Sequence, residues 1–319
     1  MSNPNWPQNL NINPSVPSSS LESTVSRIYG YDSQKQAIEQ YGIAGRVWEA
    51  AYILNVYINP PQNLTFDPPF HKCNQNRRII ELGSGSGMIG MNIARSLTPD
   101  RDVLVLTDLE EVCPLLERNL ALEDHILRES IHVCPLAWGN SQDAHRILHD
   151  VSKESIPLTH IICSDLVSLE LNHLDGGNSG AFQVYFPDLL APLLRTLIEL
   201  SSPPFADPDL KVVISYKIRS LSKETPFWSA FGLWFTFEPV LVCETTADKS
   251  APRERFGSTF EGPMFIFIAR RRPESLGWTV PRRDEYLLAG FGAYGKMQPR
   301  ADETFESLLF MSMADCIES

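Results

Sequence analysis

At 319 residues the chain is long enough to bury a full core, as one large domain or two small ones. Its 43% apolar and 21% charged residues are those of a globular protein, and neither a membrane-length apolar run nor a basic, apolar leader is present in the sequence given. The net charge of −12 argues against nucleic acid as the main ligand and favours basic protein partners.

The six cysteines, at positions 73, 113, 134, 163, 243 and 316, form no Cys-x-x-Cys pair and have no histidine at zinc-ligand spacing. Free thiols, no metal site and a reducing compartment, cytosol or nucleus, are therefore expected, with the cytoplasm taken as the location.

In chain order, residues 1–20 are rich in Asn, Pro and Ser and are expected to be disordered. A helical period runs from 45 to 59, with Val47, Ala51, Leu54 and Ile58 on one face, and Pro60-Pro61 stops it. A polar linker with Pro68-Pro69 follows. Strands are predicted at 78–82, 102–107, 131–134, 159–164 and 210–216, alternating with helices at 87–97, 110–121, 141–149, 186–201 and 222–231. Such alternation predicts a parallel sheet covered on both faces, with ligands at the carboxyl ends of its strands. The apolar, aromatic runs 233–242 and 263–270 are expected to close one edge as a hairpin-like pair. Residues 273–319 are mixed, with a short helix at 303–315.

The stretch Arg77-Arg78-Ile79-Ile80-Glu81-Leu82-Gly83-Ser84-Gly85-Ser86-Gly87 reads as a strand, a glycine turn and the start of a helix. Its loop lets a ligand approach bare backbone, with helix N–H groups aimed at it. Gly85-x-Gly87-x-x-Gly90 satisfies the dinucleotide pattern, while Gly83-x-Gly85-x-Gly87 satisfies a methyltransferase loop. Glu81 separates the two. A carboxylate here repels a pyrophosphate and suits the positively charged aminoacyl end of S-adenosylmethionine. Asp108 ends the next strand, 25 residues past Gly83, where an acid can accept both ribose hydroxyls. The plainer alternatives are a solvated strand-end acid for Glu81 and a helix N-cap for Asp108.

Further motifs are Gly45-Arg46-Val47-Trp48-Glu49-Ala50-Ala51, Leu106-Thr107-Asp108-Leu109, Leu136-Ala137-Trp138-Gly139 and Ser164-Asp165-Leu166-Val167. With them the chain resembles, over residues 40–270, the seven-strand S-adenosylmethionine-dependent methyltransferases. Within these it is similar to the protein-lysine methyltransferases also described as nicotinamide-N-methyltransferase-like, fungal elongation-factor lysine methyltransferases among them. The resemblance implies an α/β, doubly wound, mostly parallel seven-stranded Rossmann-like sheet with an N-terminal helical extension. Residues 21–272 would form the methyltransferase domain and 273–319 a C-terminal extension.

It also implies roles. Trp48 would line the cofactor pocket beside Glu81, Gly83, Ser84, Gly85, Gly87 and Asp108; Trp138 would lie against the adenine, and Ser164 would contact the cofactor. Aromatic faces suit a flat base and a sulfonium cation alike, although core packing is the plainer reading of a tryptophan. The family's catalytic signature is an acid, two residues and an aromatic directly after the fourth strand. Asp165 supplies the acid, but position 168 is Ser and the aromatic arrives 17 residues late as Tyr185. Removing 167–183 joins Asp165-Leu166 to Val184-Tyr185 and restores Asp-x-x-Tyr. We take this segment to be a retained short intron, since it begins Val-Ser, ends in Gln and keeps the frame. A genuine surface loop is the alternative.

In this reading Asp165 orients the acceptor amine and Tyr185 walls the lysine channel. The stretch from Tyr216 through Arg219 to Trp228 lies at the substrate side in relatives; Phe227 and Trp228 either line an acceptor surface or, more plainly, form a buried helix face. The expected function is a monomeric protein-lysine N-methyltransferase, with translation elongation factor 1A as a plausible substrate and no nucleic-acid or membrane partner. A small-amine, nicotinamide-type methyltransferase and a non-catalytic cofactor-binding protein remain as alternatives.

Overall fold

The computed structural model describes residues 12–17, 27–70, 76–123, 128–151, 157–165, 187–245, 253–257 and 264–315. The helices are α1 (Tyr31–Tyr41), α2 (Glu49–Ile58), α3 (Met88–Ala94), α4 (Cys113–Leu120), α5 (Ser141–Val151), α6 (Pro187–Leu200), α7 (Leu221–Trp234), α8 (Asp284–Leu288) and α9 (Thr304–Asp315). The strands are β1 (Leu64–Asp67), β2 (Arg78–Leu82), β3 (Val103–Asp108), β4 (Ile131–Pro135), β5 (Leu158–Ser164), β6 (Ala206–Lys217), β7 (Phe235–Pro239), β8 (Leu241–Glu244), β9 (Glu254–Arg255) and β10 (Met264–Arg271). No helix among the described residues is long and apolar enough to cross a membrane.

Seven strands form one sheet in the order β4-β3-β2-β5-β6-β10-β7. The first five are parallel, and β10 runs antiparallel between β6 and β7. The winding direction reverses between β2 and β5, so the carboxyl ends of these neighbours open a crevice of the kind that binds ligands in doubly wound sheets. Along β2 the strand period sends Ile79 to one face, among α2 and α3 residues such as Leu54 and Met91. Ile80 goes to the other face, with Leu194 of α6 and Trp228 of α7. Phe227 and Trp228 are fully buried, so the plainer of their two readings holds.

Four features differ from expectation. The run 233–242 divides: α7 continues to Trp234, β7 takes the sheet edge, and past Pro239, which has no N–H to donate, β8 leaves for a second sheet. That sheet, β1-β8-β9, uses part of the presumed linker, pairing Leu64 with Glu244 and Asp67 with Leu241. Tyr57 and Phe66 meet edge to face beneath it at 5.4 Å. Helix α1 was not foreseen, because its buried face consists of Gln34, Ala37 and Ile38 and carries almost no apolar period. Finally, Ser15 lies in the segment expected to be disordered, yet it is only 7% exposed. The Gln34 amide donates to Ser15 O at 3.0 Å and accepts from Ser15 N at 3.1 Å, while the Ser15 hydroxyl contacts Tyr52 Oη at 2.8 Å. One buried amide satisfies that stretch of backbone, which composition cannot reveal.

The C-terminal extension packs into the core. Phe305 stacks on Trp228 with ring centroids 4.9 Å apart, and Trp278 meets Trp234 edge-on at 5.3 Å.

Candidate active site

At the end of β2 the chain turns through Gly83, Gly85 and Gly87, all left-handed with φ of 62°, 53° and 81°. L-residues with a Cβ resist this conformation, which accounts for the alternating glycines. The loop is pinned from β3: Ser84 N donates to Thr107 O at 2.9 Å, and Gly85 N donates to Asp108 Oδ2 at 2.7 Å. Asp108 Oδ1 accepts from its neighbour's amide, Leu109 N, at 2.8 Å.

Above the loop lies a cleft of about 1390 Å3, counted with the solvent at its mouth. Glu81, Gly83, Ser84, Gly85 and Asp108 are among the residues that line it. Trp48, Trp138, Ser164 and Asp165 line it too, so elements from five parts of the chain converge on it. Gly87 stands behind the loop instead, where a Cβ would come within 2.9 Å of Leu116 Cδ2. Tyr185 and the segment 167–183 lie outside the described residues.

Glu81 is 2% exposed, and its Oε2 has no hydrogen-bond partner among the described residues. Burial pushes its carboxyl up to about 8, against hydrogen bonds from Ser84 and Gly90 that favour the charged form. Burial likewise raises Asp108 to about 6, opposed by its bonds from Gly85 and Leu109. A buried acid with an unused oxygen, facing a cleft, is complementary to a cationic amine. The open backbone of the glycine loop, the second acid on Asp108 and the indole of Trp138 complete a set that fits S-adenosylmethionine.

Asp165 is the departure from expectation. Its backbone is left-handed, with φ of 55°, and its N donates to Ser215 O at 2.9 Å. Its carboxylate is wholly buried and already engaged. Arg219 Nη1 donates to Oδ1 at 2.5 Å, Nη2 donates to Oδ2, and Ala50 N at the start of α2 reaches Oδ2 at 3.5 Å. Asp165 therefore meets the cleft as one half of an ion pair. Arg219 also contacts Glu49 at 3.3 Å, and Glu49 in turn pairs with Arg46. Both guanidiniums lie by the Trp48 indole, Arg46 at 4.5 Å and Arg219 at 5.5 Å from the ring centroid.

The sequence reading marked the stretch containing Arg219 but not this pairing, whose partners are separated by 54 positions. Glu224 was also missed. It is fully buried, hydrogen-bonds the Tyr216 hydroxyl and accepts from Ser220 N at 3.1 Å and Arg219 N at 3.4 Å. No capping-box spacing marks it, since Ser220 and Glu224 are four positions apart rather than three and the Ser220 side chain makes no cap bond.

Known proteins resemble this chain as follows. The family model described as lysine methyltransferase matches residues 33–171. The protein-lysine N-methyltransferase EFM6 of Saccharomyces cerevisiae is 25% identical over 133 residues, covering 40% of this chain and 53% of that protein. The chain thus spans about half the length of that relative. The protein N-lysine methyltransferase METTL21A of Xenopus tropicalis is 27% identical over 215 residues, covering 66% of this chain and 78% of that one. Among solved structures, the CurJ carbon methyltransferase aligns with a TM-score of 0.39 and 11% identity, over 78% of this chain and 62% of that one. Over residues 33–171 the chain is thus similar to the lysine methyltransferase family, and the curated relatives carry the same likeness at 25–27% identity.

Proposed function

We propose that the protein is an S-adenosylmethionine-dependent protein-lysine N-methyltransferase, working as a cytoplasmic monomer, and that translation elongation factor 1A is an acceptor. The observation that carries the reading is Glu81, a buried carboxylate with a free oxygen among the described residues, in a cleft that Trp48 and Asp165 also line. When bound, the cofactor supplies an electrophilic methyl group on a sulfonium. Glu81 receives its amino group, Asp108 its ribose, and Trp138 its adenine, with Gly83, Ser84, Gly85 and Ser164 as the close-fitting walls. Gly87 acts indirectly, by letting α3 start where it does.

Transfer to an amine is an in-line displacement that needs alignment and an uncharged nitrogen rather than a covalent enzyme intermediate. Trp48 and the Asp165 ion pair form the polar and aromatic wall of the acceptor slot. The resemblance assigns Tyr185 to the same wall. The family relatives named for protein lysine support this substrate class. For elongation factor 1A the support is the resemblance together with the net charge of −12, which favours basic protein partners.

The test is transfer of labelled methyl groups to unmethylated elongation factor 1A, with the site mapped by peptide mass. Label on free nicotinamide and on no protein would replace this reading with the small-amine one. Cofactor binding without transfer to any acceptor, until 167–183 is removed, would mark the chain as a binding protein with an interrupted site. Sequencing the mature transcript decides whether that segment is an intron: a message that retains its codons removes the idea.

A further inference from the structure

We infer that Arg219 is the positioning residue of the acceptor slot: by holding the Asp165 carboxylate it keeps that carboxylate from pairing with an incoming lysine ammonium, so that the bound amine gives up its proton before transfer. This rests on the lysine-methyltransferase reading above.

A lysine side chain has an ordinary pKa of about 10.4, so near neutrality only a small fraction carries the lone pair that transfer requires. An unpaired carboxylate at the slot would hold the ammonium charged and raise that value by about 1–3 units. Binding would tighten and the reaction would slow. The arrangement around Asp165 avoids this. Both of its oxygens are bonded, one to each terminal nitrogen of a guanidinium that is itself only 9% exposed. Such a fork is geometrically specific and does not open for a single-point cation without losing two charge-assisted bonds.

The charges joined to Asp165 by direct contact sum to nothing. Asp165 and Glu49 are matched by Arg219 and Arg46, all joined in one chain of contacts along the Trp48 indole. Lys217 lies near Glu49 from the end of β6. From α7, Glu224 is spent on the Tyr216 hydroxyl and on the backbone of Arg219 and Ser220. Glu81 and Asp108 line the same cleft, and the proposed function assigns them to the cofactor. Burial works against the charge on Arg219, but Asp165, Glu49 and Glu224 more than restore it, so the guanidinium stays charged throughout the working range.

The chemistry balances without further reagents. The ammonium proton passes to water, the nitrogen lone pair forms the new C–N bond, and the C–S bond breaks with its electrons going to sulfur.

Two single substitutions separate this role from a merely structural one, because they move the slot in opposite directions. Arg219→Met frees the carboxylate; Asp165→Asn frees the guanidinium. The first readout is calorimetric binding of n-butylamine, a stand-in for the lysine side chain, with S-adenosylhomocysteine present. The second is kcat for transfer to elongation factor 1A against pH, which reports the bound complex. Arg219→Met should bind n-butylamine about tenfold more tightly, lower the acceptor KM and move the acidic limb of kcat up by about one pH unit. Asp165→Asn should weaken amine binding and move the limb down. The double variant should return both readouts to those of the unsubstituted protein. Loss of kcat in both single variants, with the limb and amine affinity unmoved, overturns the proposal. If Arg219→Met fails to fold by thermal melting, Asp165→Asn decides alone: a downward shift supports the proposal and no shift overturns it. Absence of transfer by the unsubstituted protein counts against the proposed function, and the n-butylamine measurement still decides the role of the ion pair.

Discussion

Glu81 fills the space that a side chain on Gly90 would occupy: a Cβ there would stand 2.6 Å from Glu81 Oε2 and 2.1 Å from Leu106 Cδ2. Gly90 is the last glycine of the pattern that resembles a dinucleotide fingerprint. Its work in this fold is to let α3 pack closely against β2 and β3 while the carboxylate is held beside the glycine loop. The two overlapping patterns in the sequence thus have separate causes. Gly83, Gly85 and Gly87 serve backbone conformation, and Gly90 serves packing.

Gly90→Ala tests that division. Relief of a helical glycine is worth roughly 0.5–1 kcal/mol, whereas overpacking a closed core costs about 1–3 kcal/mol. Both contacts are side-chain ends, so the backbone can stay, but Leu106 and Glu81 are buried and must give way. The variant should lose about 1–2 kcal/mol of stability in urea unfolding and bind S-adenosylhomocysteine several-fold more weakly. Full affinity in the variant would detach Glu81 from the ligand.

Glu81 predicts a pH dependence with a definite sign. Its folded carboxyl is raised by burial from 4.5 to about 8. Its contribution to the stability of the free protein is therefore complete below about pH 4.5 and is lost as pH climbs through about 8. A cationic ligand reverses the preference, because it pairs with the ionised form. Affinity for S-adenosylhomocysteine should rise by up to about tenfold between pH 6 and 7, with a proton released on binding, and level off near pH 8 as the ligand amine itself titrates. Glu81→Gln should abolish the slope. Calorimetry in two buffers of different ionisation enthalpy measures both quantities, and a flat profile for the unsubstituted protein contradicts the assignment.

Asp108 both pins the loop and faces the cleft. Asp108→Ala removes two backbone bonds to a buried carboxylate, each worth about 1.5–3 kcal/mol. The melting temperature should fall and affinity for S-adenosylhomocysteine should weaken by about tenfold or more. Asp108→Asn keeps an acceptor for Gly85 N, so it should recover most of the stability while still binding weakly. Equal recovery of both would assign Asp108 to the loop alone.

The parts of this protein that were legible beforehand are those governed by local rules. Strand β2 matches its predicted bounds because Ile79, Ile80 and Leu82 are apolar on both faces, as a central parallel strand requires. The cofactor half of the cleft is readable because its acids and glycines sit within a few residues of strand ends. What escaped depends on side chains meeting across the fold. Gln34 is polar yet buried, since it satisfies the backbone of Ser15 and Val47, so α1 has no apolar stripe to display. Arg219 gains its meaning only when β5 and β6 lie side by side and bring it to Asp165. Strand β1 is four residues long, too short for an alternation to stand out.

The same long-range logic ties the C-terminal extension to the site. Phe305 is 1% exposed and lies against Trp228 and, at 6.1 Å, Tyr216. Tyr216 bonds Glu224, and Glu224 holds the backbone of Arg219. Phe305→Ala opens a cavity beside this chain of contacts and should cost about 3–5 kcal/mol in unfolding free energy. Its effect on function should be one-sided. Glu81 and Asp108 stand on β2 and β3, away from Phe305, so S-adenosylhomocysteine affinity should hold, while transfer to the acceptor falls as Arg219 loosens. Phe305→Leu, which keeps most of the apolar volume, should restore both stability and transfer in large part. A chain ending at residue 272 removes Phe305 and Trp278 together, exposing the Trp228 and Trp234 faces, and should fail to unfold cooperatively. Calorimetric unfolding of the truncated chain measures this directly: a cooperative transition at the full-length temperature would show that the methyltransferase unit stands without its extension.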